Sequence, residues 1–276
     1  MTTRPRFRSA SLLAGAAMVA LLLATALASY VWAPAAAFEI DVPHKLEAPS
    51  AAHWLGTDSL GRDVVALLVV GSRVSIAVGL IAVGIGIGFG VALGLLAAVK
   101  RGWIEEAVMR AADFGFAFPA LLSAIMLTAI YGPGLLTSIV AIGIFNVPVF
   151  IRITRASALM VRSREFVTAA RALGKGEWQI TLEHVLPNIL PMLIVQATIQ
   201  FALAILAEAA LSYLGLGTQP PMPSWGRMLN DAQLQLFRAP LLAVWPGIAI
   251  AFTVLGLNLL GDGLRDRFDP RLQRRS

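Results

Sequence analysis

Residues 152–188 read RITRASALMVRSREFVTAARALGKGEWQITLEHVLPN, a charged break in a chain that is otherwise almost continuously apolar. Apolar runs long enough to cross a bilayer lie on either side of it, so it connects two membrane spans. Its pattern is that of a folded helical hairpin rather than a linker. Ser163 is placed as an N-cap and Glu165 in the first turn, where a carboxylate complements the helix dipole. Phe166, Ala169, Ala170 and Leu173 recur at helical spacing and form one apolar face. Gly174 ends this helix, Gly176 allows a turn, and a second helix from Glu177 to Val185 is expected to stop at Pro187. Two helices this short do not stay folded alone. The small residues suit close insertion into a partner's groove, with an interfacial amphipathic pair as the alternative.

The rest of the chain fits that frame. Of 276 residues, 58% are hydrophobic and 14% charged, with a mean hydropathy of +0.76. Soluble domains carry about 25% charged residues, so the sequence is that of an all-α, polytopic membrane protein. Six spans are predicted, near Leu12–Trp32, Val74–Val99, Phe116–Tyr131, Leu135–Ile151, Ile189–Leu211 and Leu241–Gly261. The third is short, and Tyr131-Gly132-Pro133-Gly134 makes a tight turn into the fourth.

Seventeen of the 22 basic residues fall in the N-terminal tail, the loop after the second span, the 152–188 loop and the C-terminal tail. Lys45, Arg62, Arg73, Arg227 and Arg238 fall on the other side. Both termini and the hairpin are therefore expected in the cytoplasm. The net charge of +6 is read as this topological bias and not as affinity for nucleic acid. Arginines, an apolar run and Ala33-Pro34-Ala35-Ala36-Ala37 also resemble a signal peptide, but the run exceeds the usual core of about 7–15 residues, and retention is expected.

In the second span Gly84, Gly86, Gly88, Gly90 and Gly94 stand at spacings of four that let helix backbones approach closely, within the chain or against a partner. Glu208, near the outer end of span five, is expected to snorkel or to bond a neighbouring helix. Absent mid-membrane charges and absent internal repeats argue against a secondary carrier or channel. No HExxH, G-x-S-x-G or catalytic carboxylate pair supports an intramembrane enzyme. His44, His53 and His184 are scattered, and the absence of cysteine excludes thiolate metal sites and disulfides. A non-transporting scaffold stands as a further rival.

Thr168-Ala169-Ala170, Gly174 and His184-Val185-Leu186-Pro187 resemble the EAA loop of ABC importer permeases, with Thr168 where that family usually carries Glu. His53–Asp63 with Gly71–Ser75, Leu211–Gly217 with Pro223–Gly226, and Asn258–Asp266 with Asp269-Pro270-Arg271 are similar to segments of the dipeptide, oligopeptide and nickel permeases, in order along nearly the whole chain. The resemblance implies a type I importer permease of the C-type, with an N-terminal part (1–66) and a permease core (67–276) containing the coupling loop 152–188.

It further implies that Phe166, Thr168, Ala169, Ala170, Leu173, Gly174, His184, Leu186 and Pro187 form the surface that couples to the ATPase. Asp58, Arg62, Asp63 and Trp225 become candidates for an outer gate or for docking of a binding protein, or simply for turns that satisfy themselves. The implied partners are a second, homologous permease in a heterodimer, two ATPase subunits, an external solute-binding protein and membrane lipid. No P-loop is present, since Gly174-Lys175 lacks the preceding and following residues the motif needs. ATP and magnesium would thus belong to the partners, with no cofactor in this chain. The implied cargo is a di- or oligopeptide, with nickel and glutathione as alternatives.

Overall fold

The computed structural model describes residues 5–32 and 37–268. The cleavage-like stretch at residues 33–36, Arg4, and the C-terminal Asp269, Pro270, Arg271, Arg274 and Arg275 lie outside the described residues. The helices are α1 (Pro5–Trp32), α2 (Val64–Val99), α3 (Trp103–Ala117), α4 (Ala120–Tyr131), α5 (Leu135–Arg162), α6 (Glu165–Ala172), α7 (Glu177–Ile180), α8 (Leu186–Tyr213), α9 (Trp225–Ala232) and α10 (Leu241–Phe268). Five stretches are long and apolar enough to cross a membrane: Ala10–Val31, α2, α5, Glu177–Tyr213 and α10.

The third predicted span is broken. α3 and α4 meet at an angle of 84°, at Phe118-Pro119, where proline restricts the preceding residue to extended backbone. α4 alone has 12 residues, or ~18 Å, too short for a core of about 30 Å. Counted as one broken span, the bent pair brings the candidate crossings from five to six. Arg152 lies 2.6 Å from Asp113 and stacks 4.1 Å above Phe116, while Arg155 pairs with Glu105, so α3 is tied along the basic end of α5.

Several helices outrun their predicted spans. α2 starts at Val64, ten residues early, because Asp63 caps it by accepting the Ala66 N–H at 2.9 Å. The 66/67 division therefore falls within its first turn. Arg73 lies inside this helix, 3.8 Å above the Tyr30 ring and hydrogen-bonded to Ser29 of α1. α5 continues past Ile151 to Arg162, so the first third of the charged break is helix.

Glycine spacing decides how the bundle closes. A Cβ at Gly86 would lie 2.6 Å from Asn146 Cβ, one at Gly90 2.5 Å from Phe150 Cβ, and one at Gly94 2.7 Å from Thr154 Cβ. These three glycines form the seam along which α2 and α5 pack. Nothing comes within 4 Å of a Cβ at Gly84 or Gly88. The five glycines were expected to mark close packing at spacings of four. Two residues turn a helix by about 200°, so Gly84 and Gly88 face away from the seam. α1 rests on α10 in the same manner, with Gly15 against the Leu259–Leu260 backbone and Gly263 against Leu12.

Candidate functional site

α6, the Gly174 turn and α7 stand at the basic end of the bundle, on a mount built from charge and a small core. Glu177 accepts from Arg171 Nε at 2.6 Å and also from Arg162, whose side chain is only 9% exposed. One carboxylate therefore joins the ends of α5, α6 and α7. Arg162 Nη1 also donates to Thr181 Oγ1 at 3.1 Å. Beneath these groups Val161, Val167, Ala170, Ile180, Val185 and Ile189 are buried together. The hairpin is consequently continuous with the core of α5 and α8.

Two expectations for this segment are corrected. Ser163 does not cap α6. Its hydroxyl donates back to Met160 O at 2.9 Å and closes α5, leaving Arg164 at the N-cap without a side-chain bond. Pro187 does not stop the second helix either. Thr181–Val185 form a π-turn in which Leu186 N–H donates to Thr181 O, and the helix then runs on through α8. Proline lacks an N–H and crowds the carbonyl four residues back. The widened turn accommodates it, so the hairpin's second arm and the membrane helix are one rod.

The predicted coupling residues divide between two faces. Ala170 is buried and belongs to the hairpin's own core. Phe166 (46%) and Leu173 (83%) are exposed, as are Thr168, Ala169, Gly174 and Pro187, while His184 and Leu186 are half-buried. Phe166 meets the His184 ring edge-on at 6.4 Å. Gly174 has φ +85° with open space around it, and its N–H returns to Arg171 O at 3.0 Å. Trp178 and Leu182 are exposed on the second arm. The sequence reading left them out, although their spacing of four placed them on one face.

At the opposite end the candidate outer residues are internally satisfied. Asp58 pairs with Arg62 at 2.6 Å and accepts the Leu60 and Arg62 N–H groups. Asp63 caps α2 and lies 2.9 Å from His53 Nδ1. Trp225 is buried, donates from Nε1 to Leu68 O at 2.9 Å, and packs on Gly71. Asp231 pairs with Arg227 at 3.0 Å, although burial pushes its carboxyl above the usual range. Glu208 does not snorkel, but it does bond a neighbouring helix, through the Ser224 hydroxyl at the N-cap of α9. It is 1% exposed and also accepts from Ser212 (2.5 Å) and Thr218 (3.0 Å). Among the described residues no group of three or more His, Asp or Glu could hold a metal ion.

The family profile described as binding-protein-dependent transport system inner membrane component matches residues 90–274. The glutathione transport system permease protein GsiD of Pectobacterium atrosepticum is 42% identical over 256 residues, covering 92% of this chain and 85% of its own. The dipeptide transport system permease protein DppC of Alkalihalophilus pseudofirmus is 44% identical over 235 residues, covering 85% and 77%. The fold resembles that in the inward-facing MetNI methionine ABC transporter, with TM-score 0.61 at 20% identity, covering 74% of this chain and 96% of that one.

Proposed function

The chain belongs to the family of binding-protein-dependent transport system inner membrane components, and from that premise we propose that it imports di- or oligopeptides and receives its work stroke through the α6–α7 hairpin. It is a multi-pass permease subunit of an ATP-driven importer, itself non-catalytic, and it works with separate ATPase subunits and a binding protein. Relatives named for dipeptide and glutathione transport favour a peptide cargo, glutathione included, over nickel. We place a second, homologous permease beside it in a heterodimer, with both termini and the hairpin in the cytoplasm.

One observation supports the hairpin's role above all: a stripe of Phe166, Ala169, Leu173 and Gly174 faces outward from a rigid mount. Small residues beside two larger apolar ones give a surface that a groove can grip closely. Glu177, clamped by Arg162 and Arg171, passes any displacement of that surface into α5. The second arm passes it into α8 without a joint, because the π-turn keeps the rod continuous. Closure of the ATPase subunits on ATP would thus tilt α5 and α8 together, which alternates access across the bundle.

Gly174 provides the test, with conformation separated from contact. Gly174→Glu adds bulk and charge to the stripe. Gly174→Asn adds a smaller side chain that tolerates positive φ. The expected result is that Gly174→Glu inserts and assembles but hydrolyses ATP without peptide uptake, while Gly174→Asn retains most uptake. Normal uptake by Gly174→Glu in proteoliposomes would sink the coupling role. Uptake of nickel but not of labelled di- or tripeptides by the intact system would sink the cargo assignment.

A further inference from the structure

Between α5, α8 and the end of α10 lies a groove of about 1440 Å³ at the basic end of the bundle. Arg164 and Arg265 line it, and neither guanidinium has a hydrogen-bond or ion-pair partner among the described residues. Most other basic side chains near this end are engaged: Arg152 with Asp113, Arg155 with Glu105, Arg162 and Arg171 with Glu177, and Lys175 with Glu183. Glu165 is the acid in the lining. Two cations and one anion leave a local charge of about one positive unit, the complement of a single phosphodiester. Running from this polar mouth is an apolar wall that includes Met160, Met192, Val195 and Ile199. Met160 (54%), Met192 (49%) and Ile199 (38%) are all substantially exposed.

We propose that this groove is a binding site for an anionic phospholipid, its headgroup phosphate held by Arg164 and Arg265 and an acyl chain lying along the methionine-lined wall between α5 and α8. Basic pockets between membrane helices on the basic side are suited to anionic headgroups. Unbranched methionines adapt to a flexible chain. The volume exceeds the range of about 300–1,000 Å³ typical of small-solute pockets, which favours an amphiphile over the transported peptide. Because Met160 and Arg164 flank the joint between α5 and α6, a lipid seated there would brace the mount of the coupling hairpin. The inference rests on the bundle being embedded with this end at a leaflet surface. It does not depend on the cargo.

The test uses the complete transporter, purified in mild detergent and exchanged into vesicles containing phosphatidylglycerol or phosphatidylethanolamine alone. Native mass spectrometry is expected to find phosphatidylglycerol retained through detergent washing and phosphatidylethanolamine lost. The double variant R164Q/R265Q is expected to reduce that retention on the order of tenfold. Equal retention of both lipids, or undiminished retention by the double variant, overturns the proposal. Should the variant fail to assemble, a photoactivatable phosphatidylglycerol in the wild-type complex decides instead. Crosslinks within residues 160–165 or 192–199 uphold the site, and crosslinks confined elsewhere overturn it. A single cysteine at Met192→Cys, in a chain with none of its own, supplies the remaining arm. Its complete photocrosslinking to the second permease, after alkylation of the thiol with a maleimide–benzophenone reagent, would mean that protein fills the groove and would overturn the lipid.

Discussion

Glu208 illustrates how one residue organises the end of the bundle away from the hairpin. Its Oε1 accepts the hydroxyls of Ser212 and Thr218, and Ser212 Oγ in turn accepts the Thr218 N–H at 2.8 Å. The knot fastens the loop after α8 back onto the helix, and α9 closes over it with Gly226 against Ala209 and Ser212. Glu208→Leu would leave the buried hydroxyls of Ser212, Thr218 and Ser224 without this acceptor, a loss of about 1–3 kcal/mol. Glu208→Gln keeps an accepting oxygen, so its melting temperature in the purified complex is expected to stay near wild type while that of Glu208→Leu falls. Equal losses in the two variants would show that charge, not hydrogen bonding, is what matters. The sequence identified Glu208 as unusual but not its partners. Thr218 is ten residues away, beyond the reach of helical periodicity.

At the level of elements, the α2–α5 seam and the π-turn show where local rules hold and where they fail. Glycines at intervals of four announced a close helix contact, and Gly86, Gly90 and Gly94 make it. The same intervals did not say which register faces α5, since that depends on where Phe150 and Asn146 project. Gly90→Val would press against Phe150 and the Val147 carbonyl, with an overpacking cost of about 1–3 kcal/mol. It is expected to lower membrane accumulation and melting temperature. Gly84→Ala meets open space and should leave both unchanged; if it destabilises the isolated chain as Gly90→Val does, the assigned seam is wrong. Pro187 taught the opposite lesson. The rule that proline ends helices is correct for an ideal i→i−4 ladder, but one π-turn restores continuity. No single-residue signal marks that turn in the sequence. Likewise the lengths of α2 and α5 were hidden, because hydropathy locates the apolar portion of a helix and not its protruding ends.

For the whole molecule, the hairpin can act on the transport path only if it lies on the side where ATP is available. Charge and geometry bear on this independently. The loop and tail cations were assigned to one side from sequence alone. In the structure the hairpin, the end of α5, the start of α3 and Arg265 of α10 gather at one end of the bundle. The opposite end holds the Asp58–Arg62 pair and the Trp225–Leu68 bond. Because the chain has no cysteine, single thiols report sidedness without background. Ala172 is exposed on α6, and Phe237 is fully exposed at 102% beyond α9. In spheroplasts, a membrane-impermeant maleimide is expected to label Phe237→Cys directly and Ala172→Cys only after permeabilisation. Both side chains are exposed and make no buried packing contact, so the substitutions are structurally mild and labelling differences report access rather than unfolding. If Ala172→Cys were labelled in intact spheroplasts, the hairpin would face away from the ATPases. The coupling role and the inner-leaflet placement of Arg164 and Arg265 would then fall together, while the helix packing would stand.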